Sequence, residues 1–155
     1  MILCFKFTNK MKKLFLLILI FNIILNVKAY GKENFFIEAK NKYDEKQMED
    51  SKFLFQRNIV FNPKDFKSYL YLAKIYNFEK NEFEELKNLK TTLLLDPKNE
   101  DALQMLINIE LEKSNFSEVK DLTKKFEIIC LKLCNKTKEI KERLKEIEAK
   151  GENKE

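Results

Sequence analysis

Over 155 residues the chain carries 30 lysines and arginines against 25 aspartates and glutamates, a formal charge of +5, with no histidine and no tryptophan. Without histidine the commonest general base is missing, and no Gly-rich loop, serine nucleophile elbow or phosphate cradle replaces it. Composition thus argues against an enzyme, a cofactor and a small-molecule substrate. Five lysines and no acid fall within the first 29 residues, so the whole of the surplus sits there and the remainder is charge-balanced. That balance removes the electrostatic reason to expect nucleic acid.

The leader reads as a secretory signal. Met11, Lys12 and Lys13 precede an apolar stretch from Leu14 to Leu25, and Val27, Lys28 and Ala29 follow with small residues where a signal peptidase reads them. Cleavage is expected after Ala29, leaving Tyr30 first in an exported, periplasmic or secreted chain. Met11 reads as a better start than Met1, because the basic end then abuts the apolar run. A spanning helix needs about 20 apolar residues, more than this run supplies, so a membrane is expected to be met only through an uncleaved leader. The leader cysteine, Cys4, lies upstream of the apolar run, which argues against a lipid anchor.

Beyond the leader the sequence repeats. Asn62-Pro63 and Asp96-Pro97 hold the only prolines and lie 34 residues apart. Ala39-Lys40 matches Ala73-Lys74 at the same interval; Asn81 and Glu84 match Asn115 and Glu118; Leu72 and Ile75 match Leu106 and Ile109. A period of 34 is the mark of a helix-turn-helix solenoid, whose units bury their apolar faces only by stacking. Helices are predicted over 33–44, 46–61, 64–79, 82–95, 98–113 and 116–132. Each proline is expected at a first helical position behind an Asn62 or Asp96 cap, and Asn81 with Glu84 and Asn115 with Glu118 as capping boxes. Nothing between Gly31 and Gly151 demands a positive φ. The short connections make consecutive helices antiparallel.

These landmarks resemble the tetratricopeptide repeat (TPR). In the middle unit, 66–99, Tyr69, the pair Leu72-Ala73, Tyr76, Phe83 and Pro97 fill the family's pattern. In the first, 32–65, Phe35, Ala39, Tyr43, Met48, Ser51, Phe55, Ile59 and Pro63 do so, with Lys42 where an aromatic is usual. The third, 100–133, keeps Leu103, Leu106, Phe116, Glu118 and Val119, but has Ile107 for a small residue and Leu131 for the closing proline. Glu85 and Thr92 also stand where small residues let helices approach, and looser packing is expected there. The resemblance covers 32–131 and implies an all-α domain of about three repeats over 30–134. It places Ala73 where two helices touch, whereas Ala102, near a helix start, is expected to matter less.

A charged segment, 135–155, ends the chain. Phe126, Cys130, Leu133, Thr137, Ile140, Leu144 and Ile147 alternate four- and three-residue steps. Either a separate helix folds back to cap the solenoid, the favoured reading, or one helix runs on and pairs with a second copy as a coiled coil. Glu139 with Arg143 and Glu146 with Lys150 are spaced as i, i+4 pairs. Cys130 and Cys134 lie one helical turn apart. Two thiolates alone do not complete a zinc site, and on a regular helix they point the same way, so two unbonded thiols are expected rather than a disulfide.

The resemblance implies a binding module holding a peptide or a partner's helix in a concave groove of stacked first helices. Residues left free by the core stripe are Phe36, Lys40, Leu70, Lys74, Asn77, Phe78, Gln104, Asn108 and Glu112. Leu70 and Phe78 are either groove anchors or packing between repeats. The competing class is a structural envelope protein that self-associates, as a homodimer for instance, through the C-terminal heptads.

Overall fold

The computed structural model describes Leu16 and residues 35–152. Apart from Leu16, the proposed signal peptide lies outside the described residues, as do its cleavage site at Ala29 and Tyr30 and the Lys150 side chain. The backbone divides into two compact units, Met1–Glu33 and Asn34–Glu155; of the first, only Leu16 is described, helical and exposed.

The second unit is all-α. Its described helices are α1 (Phe35–Asp44), α2 (Met48–Phe61), α3 (Phe66–Phe78), α4 (Glu82–Leu95), α5 (Glu100–Glu112), α6 (Phe116–Ile129) and α7 (Lys136–Glu152). Each packs chiefly on its neighbours in sequence, the arrangement of an antiparallel helical repeat.

The 34-residue register governs the core. On the second helix of each pair, Leu54, Asn88 and Leu122 are equivalent and buried, as are Phe55, Leu89 and Thr123, and Asn58, Thr92 and Phe126. On the first helices Ala39, Ala73 and Ile107 are equivalent and wholly buried. An isoleucine is accommodated at the third level because α7, not a further repeat, covers that end. Ala102 is as fully buried as Ala73 and shares its cluster with Leu70, Leu89 and Ile109, so its place near a helix start does not spare it.

Two kinds of connection alternate, and both correct the sequence reading. Within each pair the turn is left-handed: Lys46, Lys80 and Ser114, again 34 apart, have φ of 62°, 58° and 57°. Lys80 N–H donates to Asn77 O at 3.0 Å and Asn81 N–H to Tyr76 O at 2.9 Å. Equivalent bonds run from Lys46 to Tyr43, Gln47 to Lys42, Ser114 to Leu111 and Asn115 to Glu110. This is the Schellman closure, repeated three times without glycine. Positive φ is therefore required where none was expected, because satisfying the last carbonyls of the helix outweighs the cost of the left-handed residue.

Between pairs, Pro63 and Pro97 lie not at the first helical position but one residue into a turn. Asp65 N–H donates to Asn62 O at 3.0 Å and Asn99 N–H to Asp96 O at 3.1 Å, the turn position where a fixed proline φ fits. Asn62 and Asp96 are thus C-caps of the preceding helices, and the N-cap positions of α3 and α5 are held by Asp65, without a side-chain capping bond, and Asn99. Asn99 Oδ1 accepts the Ala102 N–H at 3.0 Å. The capping boxes are only half present. Asn81 Oδ1 accepts the Glu84 N–H at 3.2 Å while Glu84 turns to Lys87, and the Asn115 side chain instead donates to Glu110 Oε2 at 2.8 Å.

The third inter-pair connection departs from the other two. With Leu131 in place of proline, α6 stops at Ile129, Cys130 is extended at φ −62° and ψ 137°, and residues 131–135 bend away before α7. Broken in this way, the chain brings the Cα atoms of Cys130 and Cys134 to 5.2 Å, and they form a disulfide. The expectation of two unbonded thiols assumed a continuous helix, which does not exist there. Past the break, α7 folds back and packs Ile140, Leu144 and Ile147 with Leu103, Leu106, Ile107, Leu122 and Phe126. The heptad residues thus meet across the bend and cap the repeat. The predicted Glu139–Arg143 ion pair is not formed: Glu139 pairs with Lys136 at 2.8 Å, and Arg143 donates to Asn108 Oδ1 at 2.9 Å. The Glu146–Lys150 pair involves a side chain outside the described residues.

Candidate functional site

Glu85 shapes the middle of the repeat. It occupies the position equivalent to Ser51 and Val119, on the inner face of α4, and is only 4 % exposed. In the first pair the small side chain lets α1 and α2 close, and Ser51 Oγ donates to Ala39 O at 2.9 Å. A glutamate cannot do this. Its carboxylate is instead received by Asn77, whose Nδ2 lies 3.1 and 3.2 Å from the two oxygens. Burial raises the Glu85 pKa above its ordinary value; the Asn77 bond opposes the shift, and Glu112 and Glu82 add to it.

Beside this carboxylate a cavity of about 460 Å³ opens between α3, the start of α4 and α5, lined by Asn77, Lys80, Glu82, Glu85, Met105, Asn108, Ile109 and Glu112. The apolar floor comes from Met105 and Ile109. Acceptors dominate the walls, where three carboxylates face one lysine. Glu82 is engaged by Lys113 at 2.6 Å, and Asn108 is oriented by Arg143 from α7. Glu112 is exposed and accepts no hydrogen bond among the described residues. Such a chamber suits a ligand group that donates hydrogen bonds and carries positive charge. Among the described residues no group of three or more Cys, Asp or Glu side chains is placed to hold a metal ion.

Of the nine residues singled out from sequence, Asn77, Asn108 and Glu112 meet at this cavity. A second group gathers around Tyr71. The Phe36 ring lies 5.9 Å from that of Tyr71, the Lys74 ammonium lies 5.5 Å from it, and Tyr71 contributes to raising the Lys40 pKa after the dominant bond to Asp44. Lys74 also holds Asp101 Oδ2 at 2.7 Å, joining α3 to α5. Leu70 is 8 % exposed and packs with Ala73, Leu89 and Ile109 between repeats, so it is core and not a groove anchor. Phe78 is 71 % exposed but stands outside the cavity lining, and Gln104 is half-buried and also outside it.

Sequence reasoning missed Glu85 and Tyr71 as site residues. The signal for Glu85 was present in the register, as a charged residue where both other repeats place an uncharged, shorter one, Ser51 and Val119. Tyr71 had no such mark, since its neighbours Phe36, Tyr43 and Phe55 come from other helices.

No protein-family model matches the chain, and no curated protein is significantly similar to it.

Proposed function

We propose that the chain is an exported protein-interaction scaffold of the tetratricopeptide type, which holds a peptide or a partner's helix along the first helices of its repeats. The observation that carries this reading is the cavity between α3 and α5, where Glu112 offers a free acceptor above an apolar floor of Met105 and Ile109. A basic or amide side chain of the partner fits there, its stem on the floor and its donors on the carboxylates. Export rests on the leader alone. Self-association through the C-terminal heptads is the less favoured reading, because Ile140, Leu144 and Ile147 already pack within the chain.

The test is a peptide array, varied in basic side chains and probed with the full chain. Capture of basic peptides is expected, with Glu112→Lys weakening it at least about tenfold while circular dichroism stays unchanged. An array without binders, or equal capture by the variant, would remove the cavity from the reading. Intact-mass measurement of the exported protein, expected to begin at Tyr30, tests the location separately.

A further inference from the structure

The register also orders the outside of the repeat. Val60, Leu94 and Ile128 are equivalent positions near the ends of α2, α4 and α6, and all three are between 77 % and 83 % exposed. Four residues further on, Lys64, Lys98 and Lys132 are again equivalent and exposed. Each level of the repeat therefore presents an aliphatic side chain and a lysine at the same end of its second helix. Phe61 and Leu131 widen the apolar row, and Lys90 and Lys125, both exposed, stand about one turn before Leu94 and Ile128.

The acids near this edge are committed elsewhere. Asp65 accepts from Asn58 and Ser68, Asp96 from Asn99, and Glu100 from three backbone N–H groups of residues 131–133. Asp101 is held by Lys74 and Glu127 by Lys141. By contrast, among the described residues no ion pair reaches Lys64, Lys90, Lys98 or Lys125, and Lys132 feels the Glu100 charge without forming a close ion pair. Asp65, Asp96, Glu100 and Asp101 keep their charge but are half-buried and turned to donors within the protein, whereas the five lysines are exposed, so ammonium groups form the outermost charge of the edge.

We propose that this edge docks on an anionic lipid surface, with the aliphatic side chains entering the boundary between headgroups and acyl chains and the lysines meeting lipid phosphates. Residue chemistry selects the lipid over other polyanions. Lysine is depleted from protein–protein interfaces, which favour arginine and aromatic residues. Single-stranded nucleic acid is gripped by aromatic faces, yet the three register positions hold valine, leucine and isoleucine. An anionic bilayer uses both components: apolar side chains gain from the boundary, and each lysine near the surface strengthens binding about fivefold. Lysine stems can also lie along the apolar row while their ammonium groups reach the phosphates. This surface is separate from the cavity, and the inference does not depend on peptide binding.

The chain has no tryptophan, so Leu94→Trp and Phe83→Trp each install a single reporter, at opposite ends of α4 and both at exposed positions. Full-length protein is mixed with vesicles of equimolar phosphatidylcholine and phosphatidylglycerol carrying brominated acyl chains, and with pure phosphatidylcholine. Fluorescence of the Leu94→Trp protein is expected to shift blue and be quenched on the anionic vesicles only, while the Phe83→Trp protein stays unquenched. Adding Lys64→Gln, Lys98→Gln and Lys132→Gln to Leu94→Trp should weaken the response about a hundredfold. The leader could bring the protein to vesicles by itself, but it would neither bury residue 94 nor respond to the triple change. A tryptophan at 94 that stays unquenched while the protein sediments with anionic vesicles overturns the proposal. So does quenching that the triple change leaves intact, or a shift produced by polyuridylate and not by vesicles.

Discussion

The carboxylate of Glu100, the first residue of α5, accepts the backbone N–H of Leu133 at 2.8 Å, 33 residues further along the chain. It also accepts from Leu131 at 2.9 Å and from Lys132 at 3.0 Å. One side chain thus gathers the loop that replaces the proline turn and sets where α7 begins. The bond from Leu133, followed by those from its neighbours, holds the Glu100 pKa below its ordinary 4.5. A carboxyl whose folded value is lowered stabilises fully above its ordinary value and loses that contribution as the pH falls through the lowered one. Glu100→Gln should therefore speed hydrogen exchange at residues 131–133 at neutral pH. Wild-type exchange there, corrected for intrinsic rates, should approach the variant's only below the ordinary carboxylate range.

The disulfide closes a loop of four-residue separation between Cys130 and Cys134. Constraint of so short a loop is worth about 2 kcal/mol by chain entropy. Cys130→Ser with Cys134→Ser should lower stability by that order in a urea melt, and dithiothreitol should lower the wild type to the same midpoint while leaving the variant unmoved.

Ala73 and Ala102 are both wholly buried in one cluster. Each alanine-to-leucine change should cost about 1 to 3 kcal/mol by overpacking. Because the two positions share a cluster, the double variant should depart from the sum of the singles by roughly 0.5 kcal/mol or more. Additive urea midpoints would mean that the two sites relax independently.

Lys80 carries φ of 58° between α3 and α4. A left-handed residue with a Cβ costs about 1 to 2 kcal/mol, partly offset by the greater freedom glycine has in the unfolded chain. Lys80→Gly should raise stability by about 0.5 to 1 kcal/mol in thermal or urea unfolding, and Lys46→Gly and Ser114→Gly should act alike.

Glu85 gives a pH dependence of the opposite sign to Glu100. Burial raises its pKa above 4.5 in the folded state, so ionisation opposes folding and the penalty grows as the pH rises from the ordinary value through the raised one. Glu85→Gln keeps a side-chain oxygen for Asn77 without the charge. The variant should be more stable than wild type at neutral pH, and the difference should vanish at acid pH, where both side chains are neutral.

The sequence alone determined the helical content, the register and the helix count of the repeat, because those follow from local capping, turn chemistry and apolar periodicity. Pro63 and Pro97 announced the turns, though not their true place in them, since a turn proline and a first-turn helix proline share the same fixed φ. Asn77, Asn108 and Glu112, singled out because they fall off the core stripe, line the cavity, with Asn77 and Glu112 exposed and Asn108 half-buried. What only the tertiary structure decided were pairings across helices. The burial of Leu70 depends on Leu89 and Ile109, and the environment of Glu85 on Asn77 and Glu112. The Cys130–Cys134 bond depends on a bend held in part from Glu100. Periodicity places a residue on a face of its own helix; which side chain of another helix meets that face depends on how the helices stack.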